Sequence, residues 1–194
     1  MPQGCRPILP SFASKMGSKR RGVIFDLDQT LVDSSTLDAL RKARRWPDVY
    51  GRIRELATYD GIAAIMTRLQ ASDIATAIVT SSPRPYCSKV LSSCELQVDV
   101  CICYHDTKLR KPHPAPMLLA LEKLDVLPEN AVAIGDSGDD IRSAKAAGVF
   151  AIAAGWGSGD VDSLKAAAPD AFVTSVNELD SFLVRHFRLD VISG

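Results

Sequence analysis

The sequence alternates short runs of branched apolar residues with stretches that carry apolar residues at helical spacing. From Arg21 onward, six of these runs have the length and composition of strands. The strand candidates are Val23–Phe25, Ile74–Val79, Val98–Cys103, Ala131–Ile134, Val149–Ile152 and Ala171–Val173. Strands that are apolar almost throughout and separated by helices are typical of a mostly parallel sheet with helices on both faces. The sequence therefore predicts a doubly wound α/β fold.

The chain has room for one well-buried domain. Its 194 residues, 46% of them hydrophobic, are enough for one core with a small insertion but few for two full domains. Residues 1–20 carry prolines, glycines, serines and basic residues without apolar periodicity, so we expect a flexible leader. Residues 21–194 are expected to form the domain.

The overall charge and the cysteine pattern exclude several classes of protein. Lys plus Arg and Asp plus Glu balance at 23 each, so no strong field favours nucleic acid or an anionic membrane. No apolar run approaches the roughly 20 residues that span a bilayer. The five cysteines form no C-x-x-C pair and the three histidines show no zinc-ligand spacing. We expect a soluble cytoplasmic protein with reduced thiols.

Polar residues that directly follow predicted strands are the functional candidates, because ligands of open α/β sheets bind beyond the carboxyl ends of the strands. Asp26 and Asp28 follow the first strand, and Thr80 and Ser81 follow the second. Asp136 and Asp140 follow a later strand and a glycine, Gly135, that we expect to let the backbone approach a ligand closely. Lys111 lies in a loop restrained by prolines.

These clusters together have the chemistry of phosphoryl transfer. Two acids separated by one residue repel each other, which favours a nearby cation, and oxygen ligands suit magnesium. Hydroxyls beside a helix N-terminus can bind an anion. Taken singly, the clusters are also typical of turn aspartates, a helix cap and a solvated loop. Jointly they supply the groups needed for transfer through an aspartyl-phosphate.

The same residues resemble a known family in their order and spacing. The matching motifs are DLDQTL at 26–31, TSS at 80–82, KP at 111–112 and GDSGDD at 135–140. They resemble the haloacid dehalogenase superfamily, and Trp156-Gly157 resembles its phosphoglycolate-phosphatase-like branch. The resemblance, from about Arg21 to about Val184, implies a Rossmann-like sheet with a helical cap after the first motif. Here the cap insertion is reduced to residues 34–58.

The resemblance also implies a role for each site residue in a magnesium-dependent phosphatase that acts on a phosphorylated metabolite. Asp26 would attack phosphorus, and Asp28 would protonate the leaving oxygen and then activate water. Thr80, Ser81 and Lys111 would hold the phosphoryl oxygens. The implied Mg²⁺ ligands are Asp26, the Asp28 main-chain carbonyl, Asp136 and Asp140. Two residues depart from the usual pattern. Gln29 replaces a frequent glycine, and an added acid, Asp139, is expected to face solvent.

Several alternatives to a phosphatase stay open. Asp28 favours phosphate esters over carbon–halogen bonds, because a leaving halide needs no proton. A phosphonatase-like enzyme would need a Schiff-base lysine from the cap, where only Lys42 is present. A phosphotransferase or mutase would pass the aspartyl-phosphate to an acceptor other than water. A non-catalytic binding or regulatory member of the family is a fourth reading.

The insertion is short and basic. It carries Arg41, Lys42, Arg44, Arg45, Arg52 and Arg54 against Asp38, Asp48 and Glu55. These cations are suited to a second anionic group on the substrate, although a helix whose charged face is merely solvated explains the same residues. Because a small lid screens the site less, we expect a large substrate, a neighbouring loop, or a second copy of the chain in a homodimer to exclude water.

Overall fold

The computed structural model describes residues 20–189, so the predicted leader at residues 1–20 lies outside the described part except for its last residue. The strands are β1 (Gly22–Phe25), β2 (Val32–Asp33), β3 (Ala57–Thr58), β4 (Ala75–Val79), β5 (Val100–Ile102), β6 (Ala131–Gly135), β7 (Phe150–Ala154) and β8 (Ala171–Val173). Six of them form a parallel sheet in the order β5-β4-β1-β6-β7-β8. The order reverses beside β1, which confirms the predicted doubly wound fold.

Helices cover both faces of this sheet. They are α1 (Asp38–Lys42), α2 (Trp46–Gly51), α3 (Ile62–Ala71), α4 (Arg84–Ser93), α5 (Ala115–Leu124), α6 (Gly138–Ala146), α7 (Val161–Ala166) and α8 (Val176–Phe187). Successive side chains of a strand point to opposite faces. Val23 and Phe25 therefore pack with α3, α4 and α8, whereas Ile24 packs with α5, α6 and α7. None of the helices within residues 20–189 is long and apolar enough to cross a bilayer.

A two-stranded antiparallel sheet, β2 with β3, lies at the base of the insertion. Val32 pairs with Thr58 and Asp33 with Ala57. Between these strands the chain forms α1, α2 and two 3₁₀ turns, and Leu37 is buried against the core of the domain. The sequence did not indicate this pairing, because a two-residue strand is too short to show an alternating pattern. The predicted insertion at residues 34–58 therefore includes β3.

Candidate active site

The cleft at the carboxyl edge of the sheet is formed by residues that follow neighbouring strands. β1 pairs with β4 on one side and with β6 on the other, all in parallel register. Asp26, Thr80 and Asp136 therefore come to lie side by side, each one residue beyond its strand. The cleft has a volume of about 540 Å³. All of the predicted site residues line it, namely Asp26, Asp28, Thr80, Ser81, Lys111, Asp136 and Asp140.

Three of these acids form a tight group around one lysine. Carboxylate oxygens of Asp26, Asp136 and Asp140 all lie within 4.8 Å of one another. The Nζ of Lys111 donates to Oδ1 of Asp26 at 2.6 Å and to Oδ1 of Asp140 at 2.5 Å. It also donates to the Val79 carbonyl at 3.0 Å, at the end of β4. Lys111 is thus held in a fixed position beside the acids, and its side chain is only 6% exposed.

The acid group carries an excess of negative charge in a buried place. Burial raises the pKa of Asp26 to about 7, with repulsion from Asp140 and Asp28 adding to the shift and Lys111 opposing it. Burial raises the pKa of Asp136 to about 8, with repulsion from Asp26 and Asp140 adding to it. Burial alone would lower the pKa of Lys111, but the charges of Asp140 and Asp26 outweigh that effect and raise it. Lys111 therefore stays a cation.

Asp140 is placed by the first turn of α6. Ser137 caps this helix, and Asp140 completes a capping box by accepting from the Ser137 amide at 3.1 Å and from its hydroxyl at 2.6 Å. A Cβ on Gly135 would lie 2.3 Å from the Asp140 Cβ. Gly135 therefore makes room for Asp140, and the expectation that it lets the backbone approach a ligand stays a prediction. With both oxygens engaged, Asp140 chiefly contributes charge and holds Lys111.

Asp28 lies in the same cleft but in different surroundings. Its Oδ1 accepts from the Tyr86 hydroxyl at 2.6 Å. Its Oδ2 accepts from the Ser82 hydroxyl at 2.9 Å and pairs with Nη2 of Arg41 at 2.5 Å. Burial, followed by the charge of Asp28, raises the pKa of Tyr86, so the hydroxyl remains a hydrogen-bond donor. Three donors thus surround Asp28, while Lys111 contacts Asp26 and Asp140.

The three hydroxyl residues after β4, Thr80, Ser81 and Ser82, make different contacts. Thr80 is buried, and its Oγ1 accepts from the Ser82 amide at 3.1 Å. Ser81 is exposed to the cleft, where its hydroxyl can reach a ligand. Ser82 turns inward to Asp28. The prediction that Thr80 and Ser81 hold phosphoryl oxygens stays a prediction, whereas Ser82 contacts a different part of the site.

Three residues around Asp28 were missed as site residues from the sequence. Ser82 had a visible signal, since it belongs to the same run of hydroxyls as Thr80 and Ser81. Arg41 was seen only as one basic residue among six in the insertion. Tyr86 carried no signal beyond an aromatic residue on an amphipathic helix, which is the pattern of ordinary core.

The basic residues of the insertion differ in whether they already have a carboxylate partner. Arg41 pairs with Asp28, and Lys42 pairs with Asp38 at 2.7 Å. Arg45 and Arg52 pair with nearby acids within their own turns. Arg44 lines the cleft, and within residues 20–189 its side chain has neither a carboxylate partner nor a hydrogen-bond acceptor. It is the cleft-lining cation of the insertion that remains available to a ligand.

Gln29 adopts the backbone conformation that explains the glycine often found at this position. Its φ of 63° is left-handed, a region that costs an ordinary side chain about 1 kcal/mol. The Tyr59 hydroxyl donates to the Gln29 amide oxygen at 2.7 Å and so supports this conformation. A Cβ on Gly157 would lie 1.6 Å from the Gln29 carbonyl oxygen, so only glycine fits there. Asp139 is exposed and pairs with Arg142, in agreement with the expectation that it faces solvent.

Comparisons with known proteins point to one family. The sequence model described as haloacid dehalogenase-like hydrolase matches residues 38–154. Phosphoglycolate phosphatase from Escherichia coli K12 is 31% identical over 134 residues, which cover 67% of this chain and 53% of that protein. The protein of the same name from Salmonella choleraesuis is 32% identical with the same coverage. The chain thus spans about half the length of these relatives.

Solved structures share the fold. CbbY from Rhodobacter sphaeroides, solved in complex with phosphate, aligns with a TM-score of 0.68 and 24% identity over 82% of this chain and 96% of that chain. A haloacid dehalogenase-like protein from Agrobacterium tumefaciens aligns with a TM-score of 0.72 and 18% identity over 87% of this chain and 99% of that chain. Identities this low support the fold alone.

The sheet, its covering helices and the acids at its carboxyl edge define a Rossmann-like α/β protein with an acidic site at that edge. The family match covers more than half of the chain and includes the segments that carry Thr80, Lys111 and Asp136. The chain belongs to the haloacid dehalogenase-like hydrolase family, which confirms the resemblance seen in the sequence motifs.

Proposed function

We propose that this protein is a magnesium-dependent phosphoric monoester hydrolase that acts through an aspartyl-phosphate on Asp26. The observation that carries the proposal is the contact of Lys111 with Asp26 inside a group of acids at the carboxyl edge of the sheet. This arrangement presents a carboxylate nucleophile beside a fixed cation, which is what attack on a phosphate dianion requires. The similarity to phosphoglycolate phosphatases supports the same activity.

The proposed reaction has two steps that share Asp28. In the first, an oxygen of Asp26 bonds to phosphorus while the bond from phosphorus to the leaving oxygen breaks. Asp28 gives its proton to that oxygen, which departs as an alcohol. In the second, Asp28 takes a proton from water as the water oxygen attacks phosphorus. The bond to Asp26 then breaks and inorganic phosphate is released.

The acid group fits a divalent cation. With Asp26, Asp136 and Asp140 ionised, three negative charges face the single positive charge of Lys111, which leaves two uncompensated. The carboxylate oxygens of these acids lie within 4.8 Å of one another, close enough to share one ion. Oxygen atoms are the ligands that Mg²⁺ prefers. Asp26 and Asp136 would hold the ion, with the Asp28 main-chain carbonyl as a further ligand and Asp140 in support. Mg²⁺ would there offset charge on the phosphoryl oxygens.

Magnesium is expected to stabilise the protein, and more strongly as the pH rises. The pKa values of Asp26 and Asp136, about 7 and about 8, lie above the ordinary 3.8. The unfolded chain therefore loses these protons first, so the metal-free protein loses stability as the pH rises from about 4 to about 8. Because the metal binds carboxylates, its effect grows over the upper part of this range. At tenfold excess over its Kd we expect a gain of about 1.4 kcal/mol, or about 3–6 °C in Tm.

Thermal unfolding at pH 5.5 and at pH 8, with MgCl₂ or with NaCl of equal ionic strength, measures this effect. Asp136→Asn should remove the magnesium-dependent shift. Asp139→Asn is the matched control, because Asp139 is an exposed acid in the same cleft that pairs with Arg142. A shift of the same size at both pH values, or one that survives in Asp136→Asn, would contradict the proposed site.

The activity itself is tested by phosphate release. The full chain is incubated with 4-nitrophenyl phosphate and with a panel of alkyl phosphates, in Mg²⁺ or in excess chelator. We expect free inorganic phosphate in Mg²⁺ and none in chelator. Transfer to an acceptor would instead yield a new phosphate ester, which phosphorus NMR distinguishes from free phosphate. The absence of turnover on every ester with Mg²⁺ present would reject the proposed function.

The proposed substrate is a small phosphate ester with a second anionic group. Arg44 reaches the cleft from the insertion without a carboxylate partner in the described part of the chain. A guanidinium binds a carboxylate or phosphate through two parallel hydrogen bonds. The name of the relatives, phosphoglycolate phosphatase, denotes a substrate with a phosphate and a carboxylate. Both observations favour an acidic phosphate ester.

Arg44→Gln is expected to reduce kcat/KM for phosphoglycolate by about tenfold and to leave kcat/KM for ethyl phosphate within about twofold. A charged hydrogen bond contributes about 1.5 kcal/mol, which corresponds to that tenfold change. Arg45→Gln is the matched control, because Arg45 pairs with Asp48 and does not line the cleft. Equal losses on both esters would argue against recognition of a second anion by Arg44.

A further inference from the structure

The two oxygens of Asp28 are held in different ways. Oδ2 has two partners, the Ser82 hydroxyl and the guanidinium of Arg41, and Arg41 comes from the insertion. Oδ1 accepts from the hydroxyl of Tyr86, which belongs to α4 of the main domain and is fully buried. The carboxyl group is thus held at one oxygen by a buried side chain of the main domain and at the other by side chains that line the cleft.

Oδ2 is the oxygen of Asp28 on the cleft side, because its partners Arg41 and Ser82 line the cleft and Tyr86 does not. The Nε of Arg41 is buried without a hydrogen-bond partner in the part of the chain that the structure describes, so this guanidinium is not fully satisfied where it lies. α1, which carries Arg41, is only five residues long, and the Ser82 hydroxyl can rotate about a single bond. Tyr86, in contrast, is packed against Trp46 at 5.9 Å between ring centroids and lies under the Arg41 guanidinium at 5.2 Å.

Arg41 links the insertion to Asp28. Its Nη1 donates to the Ser34 hydroxyl at 2.9 Å, and its Nη2 pairs with Oδ2 of Asp28 at 2.5 Å. On the other side of the carboxyl group, the buried Tyr86 hydroxyl donates to Oδ1 at 2.6 Å. The Tyr86 hydroxyl therefore cannot turn away from Asp28 without losing a buried hydrogen bond.

We propose that Tyr86 is a positioning residue that holds Oδ1 of Asp28, so that Oδ2 is left to face the oxygen of the leaving group. The inference rests on the proposed function, because it assigns a role within the proton transfer by Asp28. When the leaving oxygen takes the place of Arg41 and Ser82 at Oδ2, the bond to Tyr86 persists and keeps the carboxyl group in plane. Misplacement of a proton donor by even 1 Å can cost much of its effect.

Tyr86→Phe isolates this role. The ring and its packing remain, and only the hydroxyl is lost. The substrates are ethyl phosphate, whose alkoxide leaving group requires a proton, and 4-nitrophenyl phosphate, whose phenolate leaves with little assistance. kcat/KM is compared because it reports only the steps up to the phosphoenzyme. We expect a loss of about tenfold or more with ethyl phosphate and of less than about twofold with 4-nitrophenyl phosphate.

Two controls separate positioning from structure. Tyr50→Phe removes the same atom from a tyrosine that stacks on Trp46 and does not contact Asp28, and it should leave both substrates unaffected. In an Asp28→Asn background, Tyr86→Phe should cause no further loss with ethyl phosphate, because the group it positions is already gone. Melting temperatures of all variants show whether the fold is retained.

The kinetic results distinguish a failure of the positioning role of Tyr86 from a failure of the proposed phosphatase activity. Selective loss with ethyl phosphate and no added loss in Asp28→Asn supports positioning by Tyr86. Equal loss on both esters, no loss on either, or an undiminished effect in the Asp28→Asn background overturns it while the phosphatase activity stands. If the native chain releases phosphate from no ester in Mg²⁺, the proposed function fails and this inference fails with it.

Discussion

Asp26→Asn is expected to lower phosphate release by more than about 10⁴-fold, the scale of loss seen when a nucleophile is removed. An amide cannot form the acyl-phosphate. Oδ1 of Asp26 contacts Lys111, whereas Asp140 completes the capping box of α6 and Asp28 is held by Tyr86. Initial rates with 4-nitrophenyl phosphate in saturating Mg²⁺ measure the loss.

Asp139→Asn is the matched control for this variant. It makes the same chemical change at another acid that lines the cleft, but Asp139 pairs only with Arg142 on the surface. We expect Asp139→Asn to retain activity within about twofold, as surface changes away from the reacting groups usually do. Acid-quenched protein labelled from a ³²P-ester should carry an acid-stable, hydroxylamine-sensitive phosphate in the control and none in Asp26→Asn. A labelled Asp26→Asn chain would place the nucleophile elsewhere.

The placement of the acid group could be predicted because it depends on features that the sequence displays directly. Each strand is a short apolar run, and parallel strands bring their carboxyl ends to the same edge. Asp26 and Asp136 each follow such a run by one residue, so their meeting requires only that β1 and β6 be neighbours. The structure confirms the predicted fold and places these acids together with Lys111, although their catalytic roles stay predictions.

The surroundings of Asp28 could not be predicted, because they depend on tertiary packing. The ion pairs of Lys42 with Asp38 and of Arg45 with Asp48 are three or four residues apart, and such spacing is visible in a sequence. Arg41 instead pairs with an acid thirteen positions earlier, across the boundary between the insertion and the main domain. Nothing in the spacing distinguishes Arg41 from its basic neighbours. Only the tertiary arrangement that brings its guanidinium over the Tyr86 ring and onto Asp28 selects it.

Lys111→Ala is expected to lower kcat by about 100- to 1000-fold, the range found when one stabilising donor is removed from a transition-state site. The ammonium of Lys111 holds Asp26 at 2.6 Å and lines the cleft. In the proposed reaction it would offset the charge that builds on the phosphoryl oxygens. Without the Lys111 ammonium, the Asp26 carboxylate would be free to rotate. The charge that develops on the phosphoryl oxygens would also lack a fixed cation beside it. Rates are measured in saturating Mg²⁺, so that the acid group keeps a compensating charge.

The matched control is Lys108→Ala, which removes a lysine from the same loop. Lys108 is exposed, and among residues 20–189 its side chain has no ion-pair partner and does not line the cleft. We expect this variant to retain kcat within about twofold. Because Lys111→Ala leaves a space the size of an alkylammonium group, added ethylamine should restore part of kcat in that variant and none in Asp26→Asn. A loss of less than about tenfold with the fold intact would show that the charge of Lys111 serves the stability of the acid group and not the transfer of phosphate.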